Sequence, residues 1–404
     1  MKILLSAYEC EPNKGSEQGV GWSWAVELSK HHEVWVVTRD NNEPTISAYI
    51  KEHPEYAIAN LHFLYVGLSK KYTFWKKGNR GIRLYNTIWQ WKASKVARKY
   101  HKKIGFDIVH HVTFVSYTQA TYMYKLDIPL IWGPISGGEN IPKQIHIGVT
   151  KKERIIETIR MLSQTICLFM PSIKKTMKKA RYILVATEET KDKIPQKYLD
   201  KTIVMPAIGL DYAMNIRFNK QSDDNIKIIM AGRLIYWKAF DIGIKAFLKL
   251  RKKFSNIELH ILGEGNQKER LKQLAGVELD RSIFFEEKVS HDEIFDFYSN
   301  FDIFLNTTLR DSGCMAMMEA ISVGVPAVAI ATGGPAVLLS TDDFCAVKPL
   351  NYDYCVDKAS EILECLVCDS ELRNKVAQQQ KDRVFCIYSM NKKYEKLQAL
   401  MNEV

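Results

Sequence analysis

Short apolar runs that break at polar or glycine-bearing loops recur along the chain, alternating with stretches in which apolar residues return every three or four positions. The opening run, MKILLSAYE, ends at a polar loop, and KGSEQGVGWSWAVELSKH then supplies a Gly-rich turn leading into a helix. Strand, loop and helix in that order are how a nucleotide-binding α/β domain begins. HEVWVVTRD, LHFLYVGL, DIVHHVTF, PLIWGPISGG, YILVAT and TIVMPAIG continue as strands, with helical intervals such as EPTISAYIKEH and KASKVARKYHKK between them. This alternation predicts a parallel sheet covered on both faces.

The pattern fades in the polar stretch NKQSDDN and restarts at IKIIMAGRL. IELHILGEG, SIFFEEKV, DIFLNTTL and PAVAIATGG follow as strands, with DIGIKAFLKLRKKF, QKERLKQLA and HDEIFDFYSN as helices. The fold class expected is α/β, with two doubly wound, Rossmann-like domains facing a cleft: 1–205, a linker at 206–225, and 226–385. The last stretch, 386–404, has helical spacing and is read as a helix returning to the first domain. Length agrees, since 404 residues exceed the size at which one core usually stops growing.

Charge sharpens the picture in one place. The net charge is +11, yet Lys70 to Lys103 holds twelve Lys and Arg with no Asp or Glu, leaving about −1 for the rest. In that stretch Trp75, Tyr85, Trp89 and Trp91 interleave with Arg80, Arg83, Lys92 and Arg98, a composition suited to an anionic membrane surface. Nucleic acid is the rival partner and is set aside, and a solvated helix with its aromatics in the core is the plain alternative. A second basic amphipathic segment, from Lys151 to Arg181 with KKTMKKAR near its end, points to the same membrane surface. Eight Cys without a regular framework, no leader-like start and no apolar run of about 18 residues suggest a cytoplasmic protein, peripheral on the inner face of the membrane. Cys365 and Cys368 form a CxxC without a second pair at zinc spacing and read as structural.

Candidate chemistry concentrates between Asp302 and Pro335, DIFLNTTLRDSGCMAMMEAISVGVPAVAIATGGP. Asp311 falls in a turn after an apolar strand and Glu319 in the second turn of the following helix. Small Ser312 and Gly313 would let a phosphate approach the first N–H groups of that helix, and a carboxylate such as Glu319 can accept two ribose hydroxyls at once. An isolated D-x7-E is more often an acidic helix start than a site. The GVP strand and Gly333-Gly334 turn that follow reduce that reading sharply. Arg233, at a strand end, and Lys238, near the next helix start, can converge above the sheet and neutralise a diphosphate, with a pair of solvated surface charges as the plain alternative.

The first half is less specific. Gly15-Ser16-Glu17-Gln18-Gly19 permits close backbone approach but lacks the full dinucleotide fingerprint, which disfavours an NAD enzyme. His110 and His111 end a strand, where period two sends them to opposite faces, so only one of them can face the cleft, and a lone strand-end His is more often structural. The turn Gly137-Gly138-Glu139 after the fifth strand is another candidate to line the cleft.

Residues 311–334, with GRLIYWKAFD (Gly232 to Asp241) and LGEGNQKERL (Leu262 to Leu271), resemble the retaining glycosyltransferases of family 4, which have the GT-B fold. The resemblance implies catalytic roles for Arg233, Lys238, Asp311, Glu319 and His111. It implies a donor pocket at Gly15, Ser16, Gly232, Gly263, Gly265, Ser312, Gly313, Cys314, Gly333 and Gly334. Gly137, Gly138 and Glu139, with Trp75, Arg80, Arg83, Trp89 and Lys92, would serve acceptor and membrane. It also implies a nucleotide-sugar donor, a glycan or lipid-linked acceptor of cell-surface polysaccharide synthesis, front-face displacement, and neither cofactor nor metal. Two positions depart from the pattern: Asp311 stands where the family has Glu, and Ala239 where it has Gly, a change expected to cost little. The alternatives are a nucleotide-sugar epimerase or phosphorylase of the same fold, or an inactive membrane-bound scaffold.

Overall fold

The computed structural model describes residues 1–69, 73–76, 78, 80–145, 150–210, 225–290, 293–340 and 342–403, except for the Ser16 side chain. Most of the linker expected at 206–225 lies outside them. The chain divides into two compact units. One comprises Met1–Gly138, Ile156–Asp211 and the chain from Tyr388 onward; the other comprises Glu139–Ile155 and Tyr212–Ile387.

The first unit is built on seven parallel strands: β1 (Lys2–Ser6), β2 (Glu33–Arg39), β3 (Leu61–Val66), β4 (Ile108–His111), β5 (Leu130–Ile135), β6 (Tyr182–Val185) and β7 (Thr202–Val204). Their order is β3-β2-β1-β4-β5-β6-β7, so the direction of winding reverses between β1 and β4. Helices α1 (Ser16–Ser29), α2 (Glu43–Glu52), α3 (Ile82–Ile104), α4 (Lys151–Leu168), α5 (Pro171–Lys179) and α6 (Glu188–Lys191) connect them. Alternation along the strands makes two cores. Leu4, Val109 and Trp132 join Trp89 of α3 in one, while Ile3, Leu5, Ile108 and Ile131 join Trp24 of α1 in the other. Both faces are covered, which is why these strands read as continuous apolar runs.

The second unit repeats the plan with β8 (Ile226–Ala231), β9 (Ile257–Leu262), β10 (Ile283–Glu286), β11 (Ile303–Asn306), β12 (Ala327–Ile330) and β13 (Ala346–Val347). Their order is β10-β9-β8-β11-β12-β13, all parallel, with the reversal between β8 and β11. Helices α7 (Phe240–Arg251), α8 (Lys268–Ala275), α9 (Ile294–Tyr298), α10 (Met315–Ser322), α11 (Gly333–Leu339), α12 (Tyr352–Cys368) and α13 (Ser370–Tyr388) complete it. In an open α/β sheet the carboxyl ends of the strands at such a reversal form the natural ligand crevice.

The final helix, α14 (Met390–Asn402), packs on the first unit. Met390, Leu397 and Met401 enter the core around α1, and buried Lys393 donates to the carbonyls of Ala207 and Ile208 at 2.9 and 3.0 Å.

Candidate donor site at the strand ends of the second unit

The loop after β8 runs through Gly232 and Arg233 to Lys238, and the loop after β11 runs through Leu309 and Arg310 to Asp311. Three contacts fasten the loops together. The Leu309 N–H donates to the Trp237 carbonyl at 2.9 Å, the Thr307 hydroxyl donates to the Lys238 carbonyl at 3.1 Å, and the Arg310 guanidinium lies 4.4 Å from the centre of the Trp237 ring. Sequence reading passed over Trp237, Thr307 and Arg310, because no motif spacing marks a residue whose work is to hold another.

Lys238 Nζ and Asp311 Oδ2 meet at 2.5 Å, both side chains mostly sheltered. The other carboxylate oxygen of Asp311 accepts the Gly313 N–H at 3.0 Å, and the Cys314 N–H also bonds the carboxylate. Burial alone would raise this carboxyl. The Lys238 charge and the hydrogen bonds outweigh it and hold Asp311 below the ordinary aspartate range. The shorter side chain thus folds back onto the Gly313 and Cys314 N–H groups just before α10.

The first turn of α11 locks to the same residue. The Gly334 N–H donates to the Asp311 carbonyl at 2.8 Å, and Gly333 sits at φ +55°, where a Cβ would stand 2.0 Å from that oxygen. Only glycine fits so close an approach. At the next strand end a Cβ on Gly263 would stand 1.9 Å from the Gly232 carbonyl, and one on Gly265 would be 2.2 Å from the Leu234 carbonyl. Gly232, Lys238, Asp311, Ser312, Gly313, Cys314, Gly333 and Gly334 therefore form one neighbourhood, with Gly263 and Gly265 behind the β8 loop. Arg233 is exposed beside it.

Glu319 lies in the second turn of α10, only 6 % exposed. Burial pushes its carboxyl up to about 7. Ala239 and Cys314, the residues at which α7 and α10 begin, both adopt left-handed backbone, at φ +46° and +43°. Ala239 was expected to cost little. In this conformation a Cβ crowds the carbonyl by roughly 1–2 kcal/mol, so the absence of glycine there is a real strain beside Lys238.

The first-unit candidates behave differently. His110 packs edge-on against Trp24, 5.3 Å between ring centres, and its Nε2 is 2.9 Å from the Gly133 carbonyl. His111 Nδ1 is 2.9 Å from Ser6 Oγ. Burial pushes both rings down to about 3, so both are neutral, and His111 is enclosed rather than open to solvent. Gly15 precedes the first turn of α1, which Ser16 opens. The Gly137 carbonyl accepts from Gln164 Nε2 at 2.8 Å and the Gly138 N–H donates to Thr190 Oγ1 at 3.1 Å, while Glu139 is buried and groups with the second unit. Trp89, expected at a membrane surface, is a core residue whose indole N–H donates to the Val66 carbonyl at 2.7 Å. The Trp75 ring lies over Gly81, Arg80 and Arg83 are exposed, and Lys92 donates to the Gly67 carbonyl.

Two parallel sheets, each with its reversal point, define a doubly wound α/β protein. Residues 213–383 match the model of the family described as Glycosyl transferases group 1. Over 165 residues, 39 % of the chain, the sequence is 28 % identical to an uncharacterized glycosyltransferase of Methanocaldococcus jannaschii. Over 117 residues, 28 % of the chain, it is 31 % identical to one of the components of the human phosphatidylinositol N-acetylglucosaminyltransferase. These matches span 42 % and 24 % of the relatives' own lengths. In fold, the whole chain is similar to Anabaena HepE in complex with UDP and glucose, with a TM-score of 0.62, 14 % identity and 100 % of both chains covered. That likeness confirms the GT-B architecture of two Rossmann-like domains.

Proposed function

We propose that the protein is a retaining glycosyltransferase. It takes a sugar from a nucleoside diphosphate sugar held at the strand ends of the second unit and passes it to a glycan or lipid-linked acceptor, as in cell-surface polysaccharide synthesis. The observation that carries this reading is the Lys238–Asp311 pair at the β8/β11 reversal, with Arg233 exposed beside it. The family match over 213–383 and the UDP and glucose held by HepE support it.

In the reaction the bond from the anomeric carbon to the diphosphate oxygen breaks, its electron pair leaving with the diphosphate. The acceptor oxygen bonds the same carbon from the same face, and its proton goes to the departing phosphate. What the protein must supply is charge compensation where the negative charge grows. Lys238 carries three donors and spends one on Asp311, so a diphosphate would share it or draw it away. Arg233 adds a second cation, and with both in place the reading requires no metal. Glu319, as a carboxylate, would accept the two ribose hydroxyls. Asp311 would meet a sugar hydroxyl only through the oxygen turned toward Lys238. An acceptor on a lipid carrier is favoured by the name of the human relative, a phosphatidylinositol N-acetylglucosaminyltransferase.

Incubation with a panel of nucleotide sugars and lipid-linked or glycan acceptors tests this. Free nucleoside diphosphate together with a glycosylated acceptor of unchanged anomeric configuration is expected. An isomerised donor without glycoside would instead make the protein an epimerase, and no turnover with any donor would leave a nucleotide-binding scaffold.

A further inference from the structure

A helix lying on a folded core normally turns its apolar stripe inward. In α4, apart from Cys167 and Leu168 at its end, the sides are reversed. Its buried side carries Glu157, whose carboxylate pairs with Arg160 Nε at 3.0 Å, and Gln164, bonded to the Gly137 carbonyl. Its outer side carries Ile155, Ile159, Leu162 and Ile166 at helical spacing, exposed by 59 %, 60 %, 60 % and 67 %. Phe169 and Met170 prolong the exposed apolar surface beyond the helix end. Among the described residues sixteen large apolar side chains are exposed, and eight lie between 155 and 170, so this is a patch rather than ordinary scatter.

Charge decides what fits the patch. From Lys151 to Arg181 the chain has nine Lys and Arg against two Glu. Lys151 and Lys152 open the helix, while Lys174, Lys175 and Lys178 stand exposed on α5, with Lys174 Nζ 5.2 Å from the centre of the Phe169 ring. An apolar ridge rimmed by cations repels a second copy of itself and complements a bilayer with anionic headgroups.

We infer that the outer face of α4, with Phe169 and the lysines of α5, seats the protein on an anionic membrane surface. The aliphatic stripe enters the acyl boundary and the lysines lie among the headgroups. Of the two basic segments that pointed to a membrane in the sequence, 70–103 has Trp89 spent on the core, whereas 151–181 turns its apolar side outward. Because Gln164 ties α4 to the turn after β5, the seat lies next to a turn read as an acceptor contact. The inference deepens the proposed lipid-linked acceptor and rests on that reading for its purpose, though not for the binding itself.

Flotation of the full chain with vesicles of phosphatidylcholine alone, or with about 30 % phosphatidylglycerol, tests it without any sugar donor. The unmodified protein should float with the anionic vesicles and about tenfold less with the neutral ones. Ile159→Asp with Leu162→Asp and Ile166→Asp, all at exposed positions and checked by an unchanged melting curve, should lose binding by about tenfold or more. Lys174→Gln with Lys175→Gln and Lys178→Gln should lose it several-fold. Binding unaffected by the aspartates overturns the inference, as does binding lost only on neutralising Arg80, Arg83, Lys92 and Lys95. A dimer in sedimentation velocity that the aspartates dissociate, without flotation of the unmodified protein, makes the face a self-association surface and also overturns it. Nucleotide binding measured by thermal shift without vesicles is independent: if it fails while flotation succeeds, the transferase reading falls and the membrane seat stands.

Discussion

At the carboxyl ends of β1 and β4 the first unit buries His110 and His111 as neutral rings, whereas at the matching ends of β8 and β11 the second unit keeps Arg233 exposed and sets Lys238 against Asp311. The two sheets share a plan, and their reversal points do different work. Enclosing a titratable ring lowers its pKa until it carries no charge, so it becomes part of the packing. A Lys238 ammonium with one carboxylate partner at a sheltered rim can exchange that partner for another anion. At the two reversal points, then, exposed and exchangeable charge stands in the second unit, and the first presents packed rings there.

The comparison can be broken most sharply at Lys238. Lys238→Ala should reduce kcat/KM by about 10²- to 10³-fold if the cation meets the leaving diphosphate, and steady-state rates with the best donor would show it. A loss below about threefold would deny the second unit its distinguishing role.

Glu319→Gln should weaken nucleotide affinity by about tenfold in calorimetric titrations, since an amide accepts only through its single oxygen. The same residue sets a pH dependence. Because its folded-state pKa is raised, to about 7 from 4.5, the fold is favoured with Glu319 protonated. That stability is whole below about 4.5 and is lost as pH rises through about 7. Thermal melts of the unliganded protein between pH 5 and 8 should show the decline, and Glu319→Gln should flatten it. Nucleotide affinity should run the other way, rising with pH as the carboxylate forms.

A smaller effect is expected at Ala239. Ala239→Gly relieves a left-handed alanine and should stabilise the second unit by about 1 kcal/mol, or about 2–4 °C in its melting transition. Chelation with EDTA should leave turnover unchanged, because the proposed charge compensation comes from Lys238 and Arg233.

Much of this arrangement is legible in the sequence, and what is not has identifiable causes. The strand and helix pattern follows from apolar periodicity, and the resemblance around Gly232 to Asp241 and 311–334 brings Lys238 and Asp311 together before any coordinates. Spacing does not say where a side chain's hydrogen bonds go, so the retreat of Asp311 onto the Gly313 N–H was hidden. Period two puts His110 and His111 on opposite faces but does not reveal that both faces are covered. Trp89 and Lys92 sit in the same basic helix; one enters the core and the other caps the Gly67 carbonyl, a division that composition cannot make. For α4, amphipathic spacing was visible, but which face turns inward depends on Gln164 and Glu157 finding partners.

The central claim is that the strand ends of the second unit bind a nucleoside diphosphate sugar through Lys238 and Glu319. A thermal-shift titration with UDP, GDP and their sugars addresses it directly, since a ligand that binds only the folded state raises the melting temperature. One nucleotide series should stabilise the unmodified protein and the Ile159→Asp, Leu162→Asp, Ile166→Asp variant alike, with the shift lost in Lys238→Ala and Glu319→Ala. An equal shift in all four proteins, or none with any nucleotide, would contradict the account.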